Sequence, residues 1–564
     1  MVHHAEMALQ FRVSLRLSFP AQRRSIASST NQNLFSYTSG RFIYNEELRL
    51  RGRYVKFNPD ALLREAERVL GAKHGSPTGI IKLAEGGFNR VFLLTMSDGF
   101  EAIMKMLYHH DGPKYYATAS EAATLQYLHS KGIPVPKLYG YSASASNEVG
   151  VEYIIMEKAP GTGLQSLWVD MSKRQRHKLA SSFVEIEKKL FDLSLGCIGS
   201  IYFKKDIPSD LQATLYSTDS EKDQDSDSFC IGPTADYMFW HRGRDALDLY
   251  RGPCGYIWPP YLQAVAQKEI AWIEQYGKPL ELDFPHNGAF PGEKHPKEYL
   301  HLLEKYLALV PYLLPQNSNS PLNRPTLRHP DLNPNNIFIS PDSGAVTCII
   351  DWQYTTTEPR LLAAGYPATF KSPDSEPLKK LIEPTLPPEY DSLPLDQKAE
   401  ADELHRRRLT FYYYHIFNGH LNKSHLQALR DPLVLLRQYL VDRAGGQWSG
   451  DLMALKGTLV RMVEYWPLLS GTAGIPCPVQ FSDAEMDGFA EQEQMWHSLN
   501  KLVAQWYDQV GVSEDGWVSN EQYGEAMRKV GGLKASFVEL ADGDEGELHL
   551  LEKGWLFRDR EEGF

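Results

Sequence analysis

The sequence predicts an α+β protein with two lobes, a small antiparallel sheet followed by a large and mainly helical lobe. Short apolar runs separated by turn residues fill positions 80–160, and such runs predict strands. Apolar residues at helical spacing then dominate positions 161–530, as in the segment Lys173 to Asp192. A chain of 564 residues is long enough for one two-lobed unit with extensions.

The most informative segment is polar and runs from His329 to Ile337 in the second lobe. Asp331 is followed five positions later by Asn336, and the apolar run Val346 to Ile350 ends in Asp351. Phosphoryl transfer needs an oriented hydroxyl group and Mg²⁺ on the nucleotide phosphates. Asp331 can orient the hydroxyl group or accept its proton. Asn336 and Asp351 can supply the oxygen ligands that Mg²⁺ prefers.

The alternative for this segment is a plain turn before a strand, with Asp331 as a cap. The apolar run that ends in Asp351 favours phosphoryl transfer, because Asp331, Asn336 and Asp351 then follow the order of the corresponding residues in kinases. Protein kinases have an arginine in place of Pro330 and Phe-Gly in place of Trp352-Gln353. This combination resembles the aminoglycoside phosphotransferase family. The resemblance implies a bilobal protein-kinase-like fold and phosphorylation of hydroxyl groups on small molecules.

The upstream sequence contains the nucleotide lobe that the resemblance implies. Gly86 and Gly87 form a turn between apolar runs, where a backbone without Cβ atoms could approach phosphates. The strands Val91 to Met96 and Glu101 to Met106 then form a hairpin. Lys105 on the second strand resembles the kinase lysine that contacts the nucleotide phosphates. A plain glycine turn and a strand-edge charge are the alternatives for these residues.

The next elements provide a counter-charge and a hinge. A charged side chain inside an apolar strand is costly unless it is paired, and Glu121 in the predicted helix Ala117 to His129 can pair with the lysine. After the apolar strand Val151 to Met156, Glu157 and Ala159 resemble the hinge whose backbone meets adenine. The resemblance therefore implies ATP and Mg²⁺ as cofactors.

Composition narrows the range of partners. A net charge of −12 argues against general affinity for nucleic acid or anionic membrane surfaces, because both need basic patches. No apolar run reaches the ~18 residues of a membrane span. The five cysteines are scattered and form no C-x-x-C pair, which indicates neither a disulfide framework nor a zinc site. His415 and His420 lack a supporting motif and are interpreted as structural.

The first 45 residues carry a separate signal. They contain one acidic residue, Glu6, no lysine and many serines. Their arginines are Arg12, Arg16, Arg23, Arg24 and Arg41. This composition is typical of a mitochondrial transit peptide and predicts the import machinery as a partner. Apolar residues between Phe11 and Phe19 alternate as in a strand, so a disordered tail without a targeting role is the alternative.

The segments Tyr37 to Glu47 and Arg53 to Asn58 resemble the start of a fungal mitochondrial group within the phosphotransferase family, the altered-inheritance-of-mitochondria proteins. The resemblance implies a mitochondrial location and a mature start before about Tyr37. The predicted division of the chain is a transit peptide and disordered leader at 1–45, an extension at 46–79, the sheet lobe at 80–160, the helical lobe with the catalytic loop at 161–530, and a tail at 531–564.

Together these features predict an ATP- and Mg²⁺-dependent phosphotransferase that acts on a small-molecule hydroxyl group in mitochondria. The first alternative is a kinase-like scaffold that binds nucleotide with little turnover, since the glycine loop lacks the full G-x-G-x-x-G pattern. The second alternative is a protein kinase. Pro330, Trp352-Gln353 and the lack of a downstream Ala-Pro-Glu step disfavour it.

Overall fold

The computed structural model of this chain describes residues 31–108, 112–217, 224–254, 259–282, 284–290, 292–374, 381–469, 472 and 474–560. The first 30 residues of the predicted leader lie outside these ranges. The described strands are β1 (Gly40–Phe42), β2 (Pro77–Glu85), β3 (Asn89–Met96), β4 (Glu101–Leu107), β5 (Leu138–Ser142), β6 (Tyr153–Glu157), β7 (Thr162–Gly163), β8 (Ser200–Phe203), β9 (Phe229–Gly232), β10 (Leu280–Leu282), β11 (Gly292–Lys294), β12 (Pro325–Arg328), β13 (Ile337–Ile339), β14 (Val346–Ile349), β15 (Thr356–Pro359) and β16 (Trp517–Ser519).

The described α-helices connect and follow these strands. They are α1 (Asn31–Phe35), α2 (Glu46–Gly52), α3 (Pro59–His74), α4 (Lys114–Ser130), α5 (Leu164–Leu167), α6 (Lys173–Asp192), α7 (Asp225–Ser228), α8 (Pro259–Tyr276), α9 (Pro296–Leu309), α10 (Arg360–Ala363), α11 (Leu395–Leu421), α12 (Lys423–Leu429), α13 (Val434–Ala444), α14 (Met453–Glu464), α15 (Asp483–Met486), α16 (Phe489–Val510), α17 (Tyr523–Leu540) and α18 (Glu545–Lys553). No helix in the described ranges is both long enough and apolar enough to cross a bilayer.

The small lobe is a five-stranded antiparallel sheet in the order β2-β3-β4-β6-β5. Successive side chains of a strand point to opposite faces. Phe92 and Met104 therefore pack on one face with α3, while Leu93 and Ile103 pack on the other face with α4. Lys105 is two residues from Ile103 and so shares the α4 face. The predicted α+β fold with a small sheet lobe and a large helical lobe is confirmed.

The helical lobe contains the predicted helices with some different bounds. Helix α6 begins and ends where its apolar spacing predicts, and Ser172 caps it. The aromatic-rich pattern of residues 237–276 predicts a helix over the whole segment. This prediction is wrong in its first part, because α8 begins only at Pro259. Gly243 and Gly252 have φ values of 79° and 85°, which a right-handed helix excludes. Apolar spacing also predicts one helix over 484–506, but this segment is divided into α15 and α16 at Gly488, which has a φ of 64°.

The two ends of the described chain pack together in a terminal module, defined here as residues 34–53 and 510–560. Strand β1 pairs antiparallel with β16, with Arg41 opposite Val518. Tyr44 is buried in one apolar cluster with Trp555 and Phe557. A leader boundary at residue 45 would thus separate β1 from its partner strand. The segment predicted as a tail also contributes to this core, because its aromatic residues are buried there.

A cavity of about 1600 Å³ lies between the terminal module and α8. Its lining includes Arg49, Trp272, Trp448 and Arg560. None of the residues predicted for nucleotide binding or catalysis lines it. The chemistry predicted from the sequence therefore has to be sought between the sheet lobe and the hairpin β13–β14.

Candidate active site

Asp331 lies in a loop whose shape is set by its own neighbours. The Asn333 side chain accepts a hydrogen bond from the Asn335 main-chain N–H at 2.8 Å, and the 3-10 turn Pro334–Asn336 follows. Proline suits the start of a turn because its φ is already fixed. Asn333 also donates its amide to Asp331 Oδ2 at 2.8 Å. The result is an exposed carboxylate held in place by an adjacent amide.

The hairpin β13–β14 brings Asn336 close to Asp351. The Ile350 N–H donates to the Asn336 carbonyl oxygen at 3.0 Å, directly before Asp351. The Asn336 Nδ2 donates to the main-chain oxygen of Asp331 at 2.8 Å. This hydrogen bond uses the amide nitrogen, so the amide oxygen is the atom that can coordinate a cation. The predicted metal residues therefore meet at the end of one hairpin.

Lys105 connects the sheet and helix α4 to residues 329–353, which we call the catalytic hairpin after their predicted role. Its Nζ lies 2.7 and 2.9 Å from the two carboxylate oxygens of Glu121 and 2.6 Å from Asp351 Oδ1. Lys105 and Glu121 are both buried, so removal of Lys105 would leave the Glu121 carboxylate without its compensating charge. Asp351 has a φ of 66°, in a region that few residues other than glycine adopt. Backbone strain of this kind is concentrated at functional sites.

The charges in this cluster keep Lys105 protonated. Burial alone would lower the pKa of Lys105, but the nearby carboxylates of Asp351 and Glu121 outweigh it and raise the pKa. Burial also raises the pKa of Glu121, and the ammonium group of Lys105 opposes that rise. The two hydrogen bonds from Nζ to both oxygens of Glu121 suit a carboxylate. The geometry therefore supports an ammonium group between two carboxylates.

His329 ties the Asp331 loop to the strand that ends before Asp351. Its Nε2 lies 2.9 Å from the Ile350 carbonyl oxygen, and its Nδ1 accepts the Asp331 main-chain N–H at 3.2 Å. A neutral imidazole with its proton on Nε2 satisfies both contacts. Burial lowers the pKa of His329 and so favours this neutral form. The ring also packs edge-on against Trp352, with centroids 4.7 Å apart.

The glycine loop connects β2 to β3 and contacts the catalytic hairpin. The Gly86 N–H donates to the Asn89 carbonyl oxygen at 2.8 Å, and Asn89 Nδ2 donates to Gln353 Oε1 at 3.3 Å. Gly86 does not have a positive φ, and a Cβ there would meet Asn89 Oδ1 at 3.4 Å, an ordinary contact. The fold itself thus does not demand glycine at position 86.

An aromatic contact that sequence reasoning missed joins the glycine loop to the helical lobe. The Phe88 ring lies 5.4 Å from Tyr237 and 5.9 Å from Tyr354. Tyr237 also stacks on His241 with centroids 4.3 Å apart. These residues come from three separate parts of the chain and follow no periodic pattern, so no local signal could have grouped them.

The predicted hinge follows β6. The Glu157 N–H donates to the Lys137 carbonyl oxygen at 2.8 Å and is already used within the sheet lobe. The Ala159 N–H makes no hydrogen bond with any residue in the described ranges. It is therefore a main-chain donor that a nucleotide base could use, although adenine contact at Glu157 and Ala159 stays a prediction.

The donor set at Asn336 and Asp351 fits Mg²⁺ bound through a nucleotide. The described residues contain no cluster of three histidine, cysteine or acidic side chains suited to a metal ion. Mg²⁺ at kinase sites needs only one or two protein ligands, because phosphate oxygens and waters complete its coordination. An amide oxygen and a carboxylate are hard ligands of this kind. A self-contained metal centre is not needed for the predicted chemistry.

Comparison with known proteins agrees with this geometry. A model of the phosphotransferase enzyme family (APH) matches residues 258–362, which include Asp331, Asn336 and Asp351. A subtelomeric hrmA-associated cluster protein of Aspergillus fumigatus is 30% identical over 517 residues, covering 86% of this chain and 97% of that protein. The chain belongs to the aminoglycoside phosphotransferase family. The resemblance predicted from the sequence is confirmed.

Further relatives extend the comparison. Altered inheritance of mitochondria protein 9 of Candida tropicalis is 24% identical over 550 residues, covering 87% of this chain and 85% of that protein. Related proteins of Zygosaccharomyces rouxii and Eremothecium gossypii are also named mitochondrial, which confirms the predicted mitochondrial location. A thermostable mutant of aminoglycoside phosphotransferase APH(4)-Ia, in ternary complex with AMP-PNP and hygromycin B, matches 68% of this chain at 15% identity and a TM-score of 0.30.

Proposed function

We propose that this phosphotransferase uses ATP and Mg²⁺ to phosphorylate a hydroxyl group of a small molecule in mitochondria. The observation that carries the proposal is the position of Lys105 Nζ, 2.7 Å from Glu121 and 2.6 Å from Asp351. Lys105 and Glu121 come from a strand and the helix that follows it, 16 positions apart, whereas Asp351 follows a hairpin strand 246 positions after Lys105. Their convergence matches the lysine, glutamate and metal-binding aspartate that position a nucleotide in kinases.

Each predicted residue has a specific role in this proposal. Asp331 orients the acceptor hydroxyl group and takes its proton, while Asn333 holds the carboxylate through its amide. Lys105 steadies the nucleotide phosphates and Glu121 keeps it oriented. Asn336 and Asp351 would hold Mg²⁺, which neutralises charge on the transferred phosphoryl group.

The glycine loop and the hinge would hold the rest of the nucleotide. Gly86 and Gly87 let the backbone approach the phosphates, which is consistent with a glycine that the fold does not require. The Ala159 N–H and the backbone of Glu157 would contact the adenine. The acceptor is expected to be a small molecule, because Pro330 and Trp352 depart from the protein-kinase pattern at the same site.

The deciding experiment follows phosphorylated products directly. Purified full-length protein is incubated with ATP, Mg²⁺ and a mitochondrial metabolite extract, and products are identified by mass spectrometry. We expect a phosphorylated small molecule that is absent with Asp331→Asn. Asp342→Asn is the matched control, because Asp342 is an exposed aspartate in the turn between β13 and β14. ATP binding without any product, in the extract or on protein substrates, would favour the scaffold alternative.

We further propose that the import signal lies before Leu34. Composition places four of the five arginines of the leader at positions 12–24, whereas Leu34 and Phe42 are buried in the fold. A fluorescent reporter fused to residues 1–33 should enter mitochondria. The same fusion with Arg12, Arg16, Arg23 and Arg24 changed to Glu should stay in the cytosol, because import draws cationic segments toward a negative-inside matrix. A native fusion that stays cytosolic would contradict the proposal.

A further inference from the structure

The glycine loop is flanked by a buried ion pair. Glu85 ends β2 and Arg90 lies near the start of β3, and the two residues are paired in the strand register. Arg90 Nε lies 2.9 Å from Glu85 Oε1, and both side chains have no exposed surface. Lys82 Nζ adds a contact to the same oxygen at 3.1 Å. The two residues that enter and leave the glycine loop are therefore fixed to each other away from water.

The remaining oxygen of Glu85 is held by the segment before β1. Glu85 Oε2 accepts hydrogen bonds from the Thr38 N–H at 2.8 Å, from the Ser39 N–H at 2.9 Å and from Ser39 Oγ at 2.9 Å. Every group around this carboxylate is a donor. A neutral amide of the same shape would therefore place an NH₂ group against donors.

Arg90 is held by the same part of the chain. Its Nη1 donates to the carbonyl oxygens of Leu34 at 2.8 Å and Phe35 at 2.7 Å, and its Nη2 donates to Arg53 at 3.0 Å. We call residues 34–53 the N-terminal brace. Residues at both ends of the brace accept hydrogen bonds from Arg90, and residues between them donate hydrogen bonds to Glu85. The brace residues that contact Arg90 and Glu85 belong neither to the five-stranded sheet nor to the catalytic hairpin.

The N-terminal brace is anchored in turn by the carboxy-terminal part of the chain. Strand β1 pairs with β16, and Asn520 Nδ2 donates to the Thr38 carbonyl oxygen at 2.8 Å. The Arg560 N–H donates to Asn45 Oδ1 at 2.9 Å. Residues 517–560 are thus hydrogen-bonded to the brace, and the brace is hydrogen-bonded to Glu85 and Arg90, the residues on either side of the glycine loop.

We propose that Glu85 and Arg90 are positioning residues, through which the N-terminal brace fixes the glycine loop for nucleotide phosphates. The inference rests on the proposed function, since it assigns the brace a role in nucleotide binding. Two adjacent glycines give a loop many backbone conformations in the absence of external contacts. Fixing such a loop before the ligand arrives raises affinity, because less ordering remains to be done on binding. The termini of this chain would therefore tune phosphate binding from outside the kinase-like lobes.

The experiment measures two quantities in variants of the full chain: the hydrogen–deuterium exchange rate of the glycine loop and the affinity for nucleotide. Glu85→Gln is isosteric but faces only donors, and Ser39→Asp places a negative charge beside Glu85 from an exposed position. Ser498→Asp, on the exposed surface of α16, is the control for added charge. Hydrogen–deuterium exchange is measured on residues 84–92 and, as an internal reference, on α14. The dissociation constant for MgATP is measured by calorimetry.

We expect faster exchange in residues 84–92 and unchanged exchange in α14 for both Glu85→Gln and Ser39→Asp. The dissociation constant for MgATP should rise about 10-fold or more, the effect expected for one charge-assisted hydrogen bond. Ser498→Asp should change neither quantity. A global loss of structure would also accelerate α14, so that reference separates unfolding from loss of the brace.

The outcomes distinguish the brace from the proposed function. Unchanged loop exchange in Ser39→Asp and in folded Glu85→Gln would overturn the brace. Faster loop exchange with unchanged affinity would also overturn it, because the loop conformation would then not matter for nucleotide. Wild-type protein that fails to bind MgATP would instead contradict the proposed function, whatever the exchange of the loop shows.

Discussion

The catalytic hairpin and the terminal module are both built on paired strands, but their partners are separated very differently in sequence. Asp331, Asn336 and Asp351 lie within positions 331–351, and one short turn and one hairpin arrange them. Strands β1 and β16 join residues 40–42 to 517–519. Local turn chemistry sets the geometry of the first region. The second forms only when the whole chain has folded, so it has no local signature.

The largest expected effect separates turnover from binding in the catalytic hairpin. Asp331→Ala should lower kcat by about 10²- to 10⁴-fold, the usual worth of a positioned acid or base, and leave MgATP binding largely intact. Asp351→Ala should abolish Mg²⁺-dependent binding, because it removes a ligand of the metal. Calorimetry with and without Mg²⁺, together with product formation, measures both. Wild-type turnover in Asp331→Ala with the true acceptor would refute the assigned mechanism.

The next prediction tests the terminal module by truncation. A chain that begins at residue 34 should keep the thermal stability of the full-length protein, whereas one that begins at residue 46 should lose stability because β16 loses its partner. Phe42→Ala alone should lower the free energy of unfolding by about 3–5 kcal/mol, since its ring is 1% exposed. Chemical denaturation measures this difference. Equal stability of the two truncated chains would show that β1 contributes nothing.

The separation of partners also explains how much could be predicted from the sequence. The sheet lobe, helix α6 and the order of Asp331, Asn336 and Asp351 follow from apolar spacing and turn residues. The sequence predicts Glu121 as the partner of Lys105 but not the additional contact with Asp351, because no spacing rule connects residues so far apart. The aromatic-rich pattern predicts that Tyr237 lies in a helix, yet Gly243 and Gly252 follow it with positive φ values that a right-handed helix excludes.

The predicted leader boundary at residue 45 depends on a similar physical difference. Arginine-rich and acid-poor composition predicts a leader, but composition does not report where the fold begins. Leu34 and Tyr44 would be unremarkable in a leader, and they are buried only because residues far from them in the chain cover them. Leu34 packs in the apolar cluster of the sheet lobe, and Tyr44 packs in the cluster that contains Trp555. The arginine-rich composition thus marks the beginning of these 45 residues, whereas burial marks their end, which belongs to the fold.

A smaller effect is expected for the coupling between Lys105 and Glu121. Removal of Lys105 leaves Glu121 buried without its ammonium partner, whereas removal of Glu121 leaves Lys105 with Asp351 as its carboxylate partner. Either single loss disrupts the same cluster, so loss of both should cost less than the sum of the single losses. We expect a coupling energy of about 1–3 kcal/mol in kcat/KM, from Lys105→Met, Glu121→Gln and the double variant. Additive losses would show that the two residues act independently.

The smallest effect concerns the charges on the terminal module. Arg41 forms an ion pair with Glu46 at 2.8 Å, and both side chains are substantially exposed. Exposed ion pairs contribute about 0–1 kcal/mol because water and salt screen them. Arg41→Gln should therefore lower the free energy of unfolding by less than about 1 kcal/mol, far less than the adjacent Phe42→Ala. The two variants share one short strand, so the difference between them compares the loss of a buried ring with the loss of a more exposed charge. A loss for Arg41→Gln as large as that for Phe42→Ala, persisting in high salt, would mean that charge and not the apolar cluster holds β1 against β16.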